Sequence, residues 1–257
     1  MTRKKKLIII GIFLIAIIFF CIFTLRAGTL KPTVQTEDIT QTSPRAHTQE
    51  LYKIVKDAVI VPVSPQGNKK VILLTIDDGP TARTLSIMET LKAHNAGAIF
   101  FINGIHHATH PLVIKELHKN GFAVGNHTWS HRDLRKEKNK ETALAEIDTT
   151  TNLIEQETGE LPKFFRAPYG MITLDLRTHI KEKGMLYIDW SASVKDWQKK
   201  SRERDVFIRH AMDEIHAGSI ILIHEYPWSA THLDALLTAI EEKGYSFADP
   251  HSLTKID

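Results

Sequence analysis

The chain has 257 residues, a formal net charge of +3 and a single cysteine. One cysteine excludes an intrachain disulfide, so a hydrophobic core must stabilise the fold unaided. The first thirty residues hold five cations (Arg3, Lys4, Lys5, Lys6 and Arg26) and no acid, which leaves the rest of the chain at −2, and a slightly acidic body argues against nucleic acid as a partner.

In chain order, a basic tail (1–6) precedes nineteen apolar or small residues (7–25), among which Thr24 is the only hydroxyl. At 1.5 Å per residue this predicts a single transmembrane helix of about 28 Å, matching a hydrocarbon core of about 30 Å. The leading cations place the N-terminus in the cytoplasm and the remainder outside the cell membrane. The alternative is a secreted protein freed by signal-peptide cleavage. That would need an apolar region of about 7–15 residues and a small-x-small site, and Leu25-Arg26-Ala27 is a poor one. Residues 26–69 are expected to form an extracellular stalk or linker, with one apolar segment, 51–63, able to pack on the domain as helix or strand. From residue 70 to 257 apolar strands alternate with amphipathic helices, expected at 84–94, 111–119, 140–157, 174–183, 204–216 and 231–243. In the last, Leu233, Leu236, Leu237 and Ile240 follow the spacing of one buried helical face. Such alternation predicts a parallel α/β architecture.

Chemically competent residues sit just past the apolar runs. Asp77-Asp78-Gly79-Pro80 follows the strand predicted at 71–76. His127 and His131 follow a second run, and two imidazoles four apart on a helical turn can reach one ion about 2.0–2.1 Å away. One carboxylate with two imidazoles makes an open, three-ligand metal site of the hydrolytic kind, and the other carboxylate is left to act as a base. The plainer alternative is a turn that merely stops a strand. Arg166-Ala167-Pro168-Tyr169-Gly170 supplies a fixed cation and an aromatic turn, and His224 ends a last buried strand. Chemistry at the ends of several strands favours a barrel over an open sheet. His106, His107 and His110 form a denser histidine cluster, yet no carboxylate lies among them and a solvated loop is expected. Asp189-Trp190 repeats an Asp-Trp pair seven residues early and is expected to be structural, in or at the end of a strand at 185–190.

Thr75-Ile76-Asp77-Asp78-Gly79-Pro80, His127-Thr128-Trp129-Ser130-His131, Arg166-Ala167-Pro168-Tyr169, Asp196-Trp197 and Leu222-Ile223-His224 resemble, in order, the five motifs of the NodB-homology polysaccharide deacetylases, the family-four carbohydrate esterases. The resemblance runs from about Lys70 to the C-terminus. It implies a distorted, incomplete (β/α) barrel. It also implies that Asp78, His127 and His131 bind a divalent metal, usually zinc; the same donors suit cobalt, nickel or manganese. Asp77 would be the general base and His224 the general acid, with Arg166 pairing Asp77 and Asp196 pairing His224. The Tyr169 backbone N–H would stabilise the oxyanion, and Trp197 with Leu222 would wall the acetyl pocket. Ser193 stands where the fourth motif often begins with a further aspartate.

The expected activity is removal of N-acetyl groups from N-acetylglucosamine units of an extracellular glycan, peptidoglycan before chitin-type oligosaccharides, by a monomer tethered to the membrane. Tyr169 in the third motif resembles the glucosamine-directed members, whereas those acting on muramic acid lactams tend to carry arginine. An acetylxylan-type esterase and an inactive glycan-binding module are the competing readings. Retention of Asp77, Asp78, His127, His131 and His224 weighs against the module.

Overall fold

The computed structural model describes residues 50–254. Eleven strands are assigned among them: β1 (Tyr52–Val55), β2 (Val59–Pro62), β3 (Val71–Gly79), β4 (Ala98–Ile102), β5 (Ala123–Asn126), β6 (Phe164–Phe165), β7 (Leu186–Tyr187), β8 (Ala192–Ser193), β9 (Ile220–His224), β10 (Ser246–Phe247) and β11 (Leu253–Thr254). The larger sheet runs β7-β6-β5-β4-β3-β9-β8, with β10 added to β3, and every pairing in it is parallel. Among the described residues no pairing joins β7 to β8, so the sheet curls without closing. This is the expected incomplete, distorted barrel.

β3, β4 and β9 are buried on both faces, yet alternation along them still sorts two cores. Ile72, Leu74, Ile76, Phe100, Ile221 and Ile223 pack outward against helix residues such as Ile87, Leu91, Leu117, Leu236 and Leu237. Val71, Leu73, Ile99, Phe101 and Ile220 point inward with Tyr52, Ile54, Ile60 and Leu253. Those last four come from a small sheet, β11-β1-β2, which meets the main sheet where its strands begin, with Ile60 N–H donating to the Gly218 carbonyl at 2.8 Å. Segment 51–63 therefore packs on the domain as a hairpin, within the same compact unit. With one end of the inner face plugged, the C-terminal strand ends are left for chemistry.

The helices stand close to their expected places, at Thr84–Ala93, Val113–Lys119, Lys140–Thr158, Leu174–Glu182, Arg204–Glu214 and Pro227–Glu242. The last begins four residues before the expected start because Pro227 takes the first helical position, where its missing N–H costs nothing. Strand β7 covers two residues of the expected 185–190.

The membrane expectations are corrected. No helix among the described residues is long and apolar enough to cross a membrane. The longest, Lys140–Thr158, buries only one face, with Ala143, Ile147 and Ile154 inward among its charged residues. The apolar segment 7–25 lies outside the described residues. The transmembrane helix, the membrane as partner and a single-pass location with a cytoplasmic N-terminus thus have no support in the structure.

Candidate active site

Two adjacent strand residues ordinarily point to opposite faces, and a bulge lets Asp77 and Asp78 share one cavity. The β3–β4 register passes from Ile76↔Phe100 to Gly79↔Ile102, three residues against two. The inserted residue, Asp78, has φ of 68°, and such an insertion re-aims the side chains around it. Asp77 stays on the inner face beside Thr75, opposite His224 on β9. Burial pushes the Asp77 carboxyl above its ordinary value, and the Arg166 guanidinium, 2.8 Å from Oδ1, works against this. The net direction is upward, not downward as pairing with Arg166 alone would give.

The histidines converge through a loop, which corrects the helical turn expected for them. Thr128 and His131 have φ of 68° and 58°, left-handed values that no α-helix accommodates. The loop is held by buried polar contacts instead. Asn126 Oδ1 accepts from Thr128 N–H at 2.8 Å, while its Nδ2 donates to Ile147 O and Thr151 Oγ1. His127 Nδ1 lies 2.8 Å from the Arg166 carbonyl oxygen. That bond makes Nδ1 the donor and turns the Nε2 lone pair toward the cavity. Burial, opposed by the Asp78 charge, pushes the His127 imidazolium down to about 3, so the ring is neutral at physiological pH.

Asp78, His127 and His131 offer ligand atoms that all lie within 4.8 Å of one another. His127 Nε2 and His131 Nε2 are 3.7 and 3.5 Å from Asp78 Oδ1. Ligand atoms about 2.0–2.1 Å from a tetrahedral ion stand about 3.3–3.5 Å apart. Asp78 Oδ1 is buried with no hydrogen-bond partner among the described residues, which a cation would supply. The donor set therefore fits a divalent metal.

His224 faces this cluster across a cavity of about 600 Å³, whose walls include Tyr169, Trp197 and Leu222. Its Nδ1 lies 2.7 Å from Asp196 Oδ1, and Asp196 Oδ2 accepts from His224 N–H at 2.6 Å and Ser229 Oγ at 2.8 Å. Burial pushes the His224 imidazolium down. The hydrogen bond and charge of Asp196, with Asp77 and Asp78, more than offset this and raise it to about 9. Every residue singled out from the motifs is thus at or against one cavity, Arg166 and Asp196 from behind it.

Three neighbours were not anticipated. Trp190 and Tyr226 line the cavity; the expectation that Asp189-Trp190 is structural holds for Asp189, whose carbonyl accepts from Arg166 Nη2 at 2.9 Å. Glu225 is buried, accepts from Thr81 Oγ1 at 2.6 Å and Thr84 Oγ1 at 2.5 Å, and is pushed up by burial to about 7. It ties the turn after β3 to the end of β9. Position beside His224 was the only available signal for Glu225 and Tyr226. The decoy histidines stay outside the cluster. His106 Nδ1 touches the Asp78 carbonyl oxygen at 3.2 Å, His107 pairs with Glu157 at 3.5 Å, and His110 meets Thr109 at 2.8 Å.

Alanine at Asp78, His127 or His131 should lower divalent-metal affinity by more than the about 10–100-fold typical of losing an outer supporting partner. His107→Ala and His110→Ala should leave it unchanged. Metal titration and elemental analysis of the purified variants decide this. In the metal-free protein the His224 ring should titrate near 9 by NMR, against about 6.5 for a free imidazole. Asp196→Asn should bring it down, because the charge that raises it is gone while burial remains. The matching stability is fully present below about 6.5 and is lost as pH rises through about 9.

Residues 64–188 match the family model described as polysaccharide deacetylase. The chain is 34% identical over 209 residues to the peptidoglycan-N-acetylmuramic acid deacetylase PdaC of Bacillus subtilis, an alignment covering 80% of this chain and 42% of that one. It is 32% identical over 198 residues to the peptidoglycan-N-acetylglucosamine deacetylase PgdA of Listeria monocytogenes, covering 76% and 41%. The aligned region thus spans about two fifths of these relatives. The solved structure of Bacillus subtilis PdaC superposes with a TM-score of 0.65 at 34% identity, over 72% of this chain and 89% of that one. By sequence and by fold, the chain belongs to the polysaccharide deacetylase family.

Proposed function

We propose that this protein is a metal-dependent amide hydrolase that removes N-acetyl groups from an extracellular glycan, with peptidoglycan as the polymer, N-acetylglucosamine as the sugar and zinc as the ion. The observation that carries the reading is one cavity holding a metal-competent Asp/His/His cluster, an unused buried carboxylate and a charged imidazole. Amide hydrolysis needs these three groups together, because the carbonyl is a weak electrophile and the amine a poor leaving group.

A divalent ion held by Asp78, His127 and His131 supplies positive charge where the acetyl carbonyl oxygen becomes negative. Asp77, its carboxylate oriented by Arg166, takes the proton from the attacking water. Its upward-shifted pKa makes it a better base than an exposed aspartate. His224, whose imidazolium is stabilised by the Asp196 carboxylate 2.7 Å from Nδ1, donates its Nε2 proton to the departing nitrogen as the carbon–nitrogen bond breaks, giving acetate and a free amine. The Tyr169 backbone N–H is assigned to the oxyanion, and Trp197 and Leu222 to the acetyl methyl. Trp197 is 49% exposed and packs edge-on against His224 at 5.7 Å, so a bound sugar would cover it.

The two relatives named above act on different sugars of the same polymer. Tyr169 in the third motif supports N-acetylglucosamine; the identity to PdaC supports N-acetylmuramic acid as the second reading. The purified chain, loaded with zinc, should release acetate from isolated peptidoglycan and lose that activity to a chelator. Mass spectrometry of the digested product should place the free amines on glucosamine. Free amines on muramic acid would select the second reading, and acetate released only from acetylated xylan would overturn the proposal.

A further inference from the structure

Beside the reaction cavity lies a second hollow of about 510 Å³, lined by Arg132, Asp133, Arg135, Lys136 and Glu137 and sharing His131 and Tyr169 with it. The shared rings pack edge-on at 4.8 Å and form a wall common to both hollows, so a group in the second hollow lies next to the metal site. The other end of the cavity, around His224, is instead lined by Trp197 and Tyr226. Cations follow both ends in the chain, Arg132, Arg135 and Lys136 after His131 and Lys199, Lys200 and Arg202 after Trp197; the first set lines the hollow beside the cavity, and none of the second is among the cavity's lining residues.

Exposure decides the sign the hollow presents. The Arg132 and Lys136 side chains are 59% and 80% exposed, whereas Asp133 is 11% exposed. Asp133 is spent on its neighbours, accepting from Arg135 Nε and Nη2 at 3.2 and 3.0 Å, with Lys136 Nζ at 3.3 Å. Arg132 is anchored at its base: Nε donates to Ser130 Oγ at 3.2 Å, and Ser130 donates through N–H and Oγ to the buried Glu146 at 2.7 and 2.6 Å. Its Nη1 pairs with Glu137 Oε2 and its Nε with Glu146 Oε1, each at 3.6 Å, ion pairs too long to be hydrogen bonds. The same anchored loop carries His131, so the guanidinium is registered against the metal site.

We infer that this hollow is a carboxylate subsite, in which Arg132 and Lys136 recognise an acidic group borne by the glycan beside the sugar being deacetylated. This rests on the reading of peptidoglycan as polymer. Its carboxylates come from the lactyl ether of the muramic sugar or from the stem peptide, and neither exists on chitin or xylan. Arg132 and Lys136 are specificity residues here and take no part in the chemistry.

The test uses the zinc-loaded full-length chain and the variants Arg132→Gln, Lys136→Gln and their double. Substrates are a chitin oligomer, peptidoglycan strands stripped of peptide, and strands with peptide attached. The double variant should lose about tenfold or more in kcat/KM on the acidic strands, the worth of a charge-assisted hydrogen bond. The loss should fall on KM, with kcat and the chitin activity unchanged. Loss on stripped strands identifies the lactyl carboxylate; loss only with peptide attached identifies the stem. Equal loss on chitin, or no loss on either strand, overturns the inference. Should Arg132→Gln disturb Glu146, Lys136→Gln alone must still discriminate. If the wild-type chain releases acetate from none of the three, the deacetylase reading fails on its own. The subsite is then judged by calorimetric binding of the strands, which must weaken in the double variant.

Discussion

A single buried guanidinium holds this structure and its proposed chemistry together. Arg166 is fully buried and the largest side chain so placed, and a charge in that position is tolerated only if every donor is met. Its Nη1 reaches Thr75 Oγ1 and Asp77 Oδ1 at 2.7 and 2.8 Å, while Nε and Nη2 donate to the carbonyls of Ile188 and Asp189 at 3.2 and 2.9 Å. Phe101 lies under its plane at 4.5 Å. These partners come from β3, β4 and the segment after β7, so one side chain cross-links the inner face of the half-barrel. Removing one member of such a pair typically costs about 3–5 kcal/mol, because the other is left buried and uncompensated.

The same residue organises the metal cluster through its backbone, since the Arg166 carbonyl fixes the tautomer of His127. Base and ligand are therefore set by two ends of one residue. The acid is set separately. Asp196 is fully buried, and its two oxygens meet the ring and the backbone of His224 as well as Ser229. Burial disfavours the charged form of both titrating groups: it raises the Asp77 carboxyl above its ordinary value against the pull of Arg166, whereas at His224 the neighbouring carboxylates outweigh it and hold the imidazolium. Environments that separate two titratable groups in this way assign the base and the acid.

Much of this was legible in the chain because parallel strands place chemistry at their ends, where a polar residue breaking an apolar run is visible. Asp77 after Ile76, His127 after Asn126 and His224 after Ile223 were all found in that way. The loop geometry at His127–His131 was not legible. Four-residue spacing mimics a helical turn, and the left-handed backbone of Thr128 and His131 goes with a bond to the neighbouring Asn126 and a hold on Ser130 by Glu146, sixteen residues further on, that no spacing announces. Nor was the bulge at Asp78, which appears only once β4 is laid against β3. Trp190 was hidden by the repeated Asp-Trp pair, whose two copies serve different ends: the first gives Arg166 a carbonyl and the cavity a wall, the second gives His224 its carboxylate partner and the cavity Trp197. The hairpin of β1 and β2 was ambiguous between helix and strand because the third strand of its small sheet, β11, lies about two hundred residues away.

The central claim is that Asp77 moves a proton while Asp78, its neighbour, holds the metal. Metal content and acetate release measured together on Asp77→Asn test it most directly. The account predicts metal retained at the wild-type level with hydrolysis lowered by about 10²–10⁴-fold, the usual worth of a positioned base. A metal-replete Asp77→Asn protein that turns over like the wild type would contradict it.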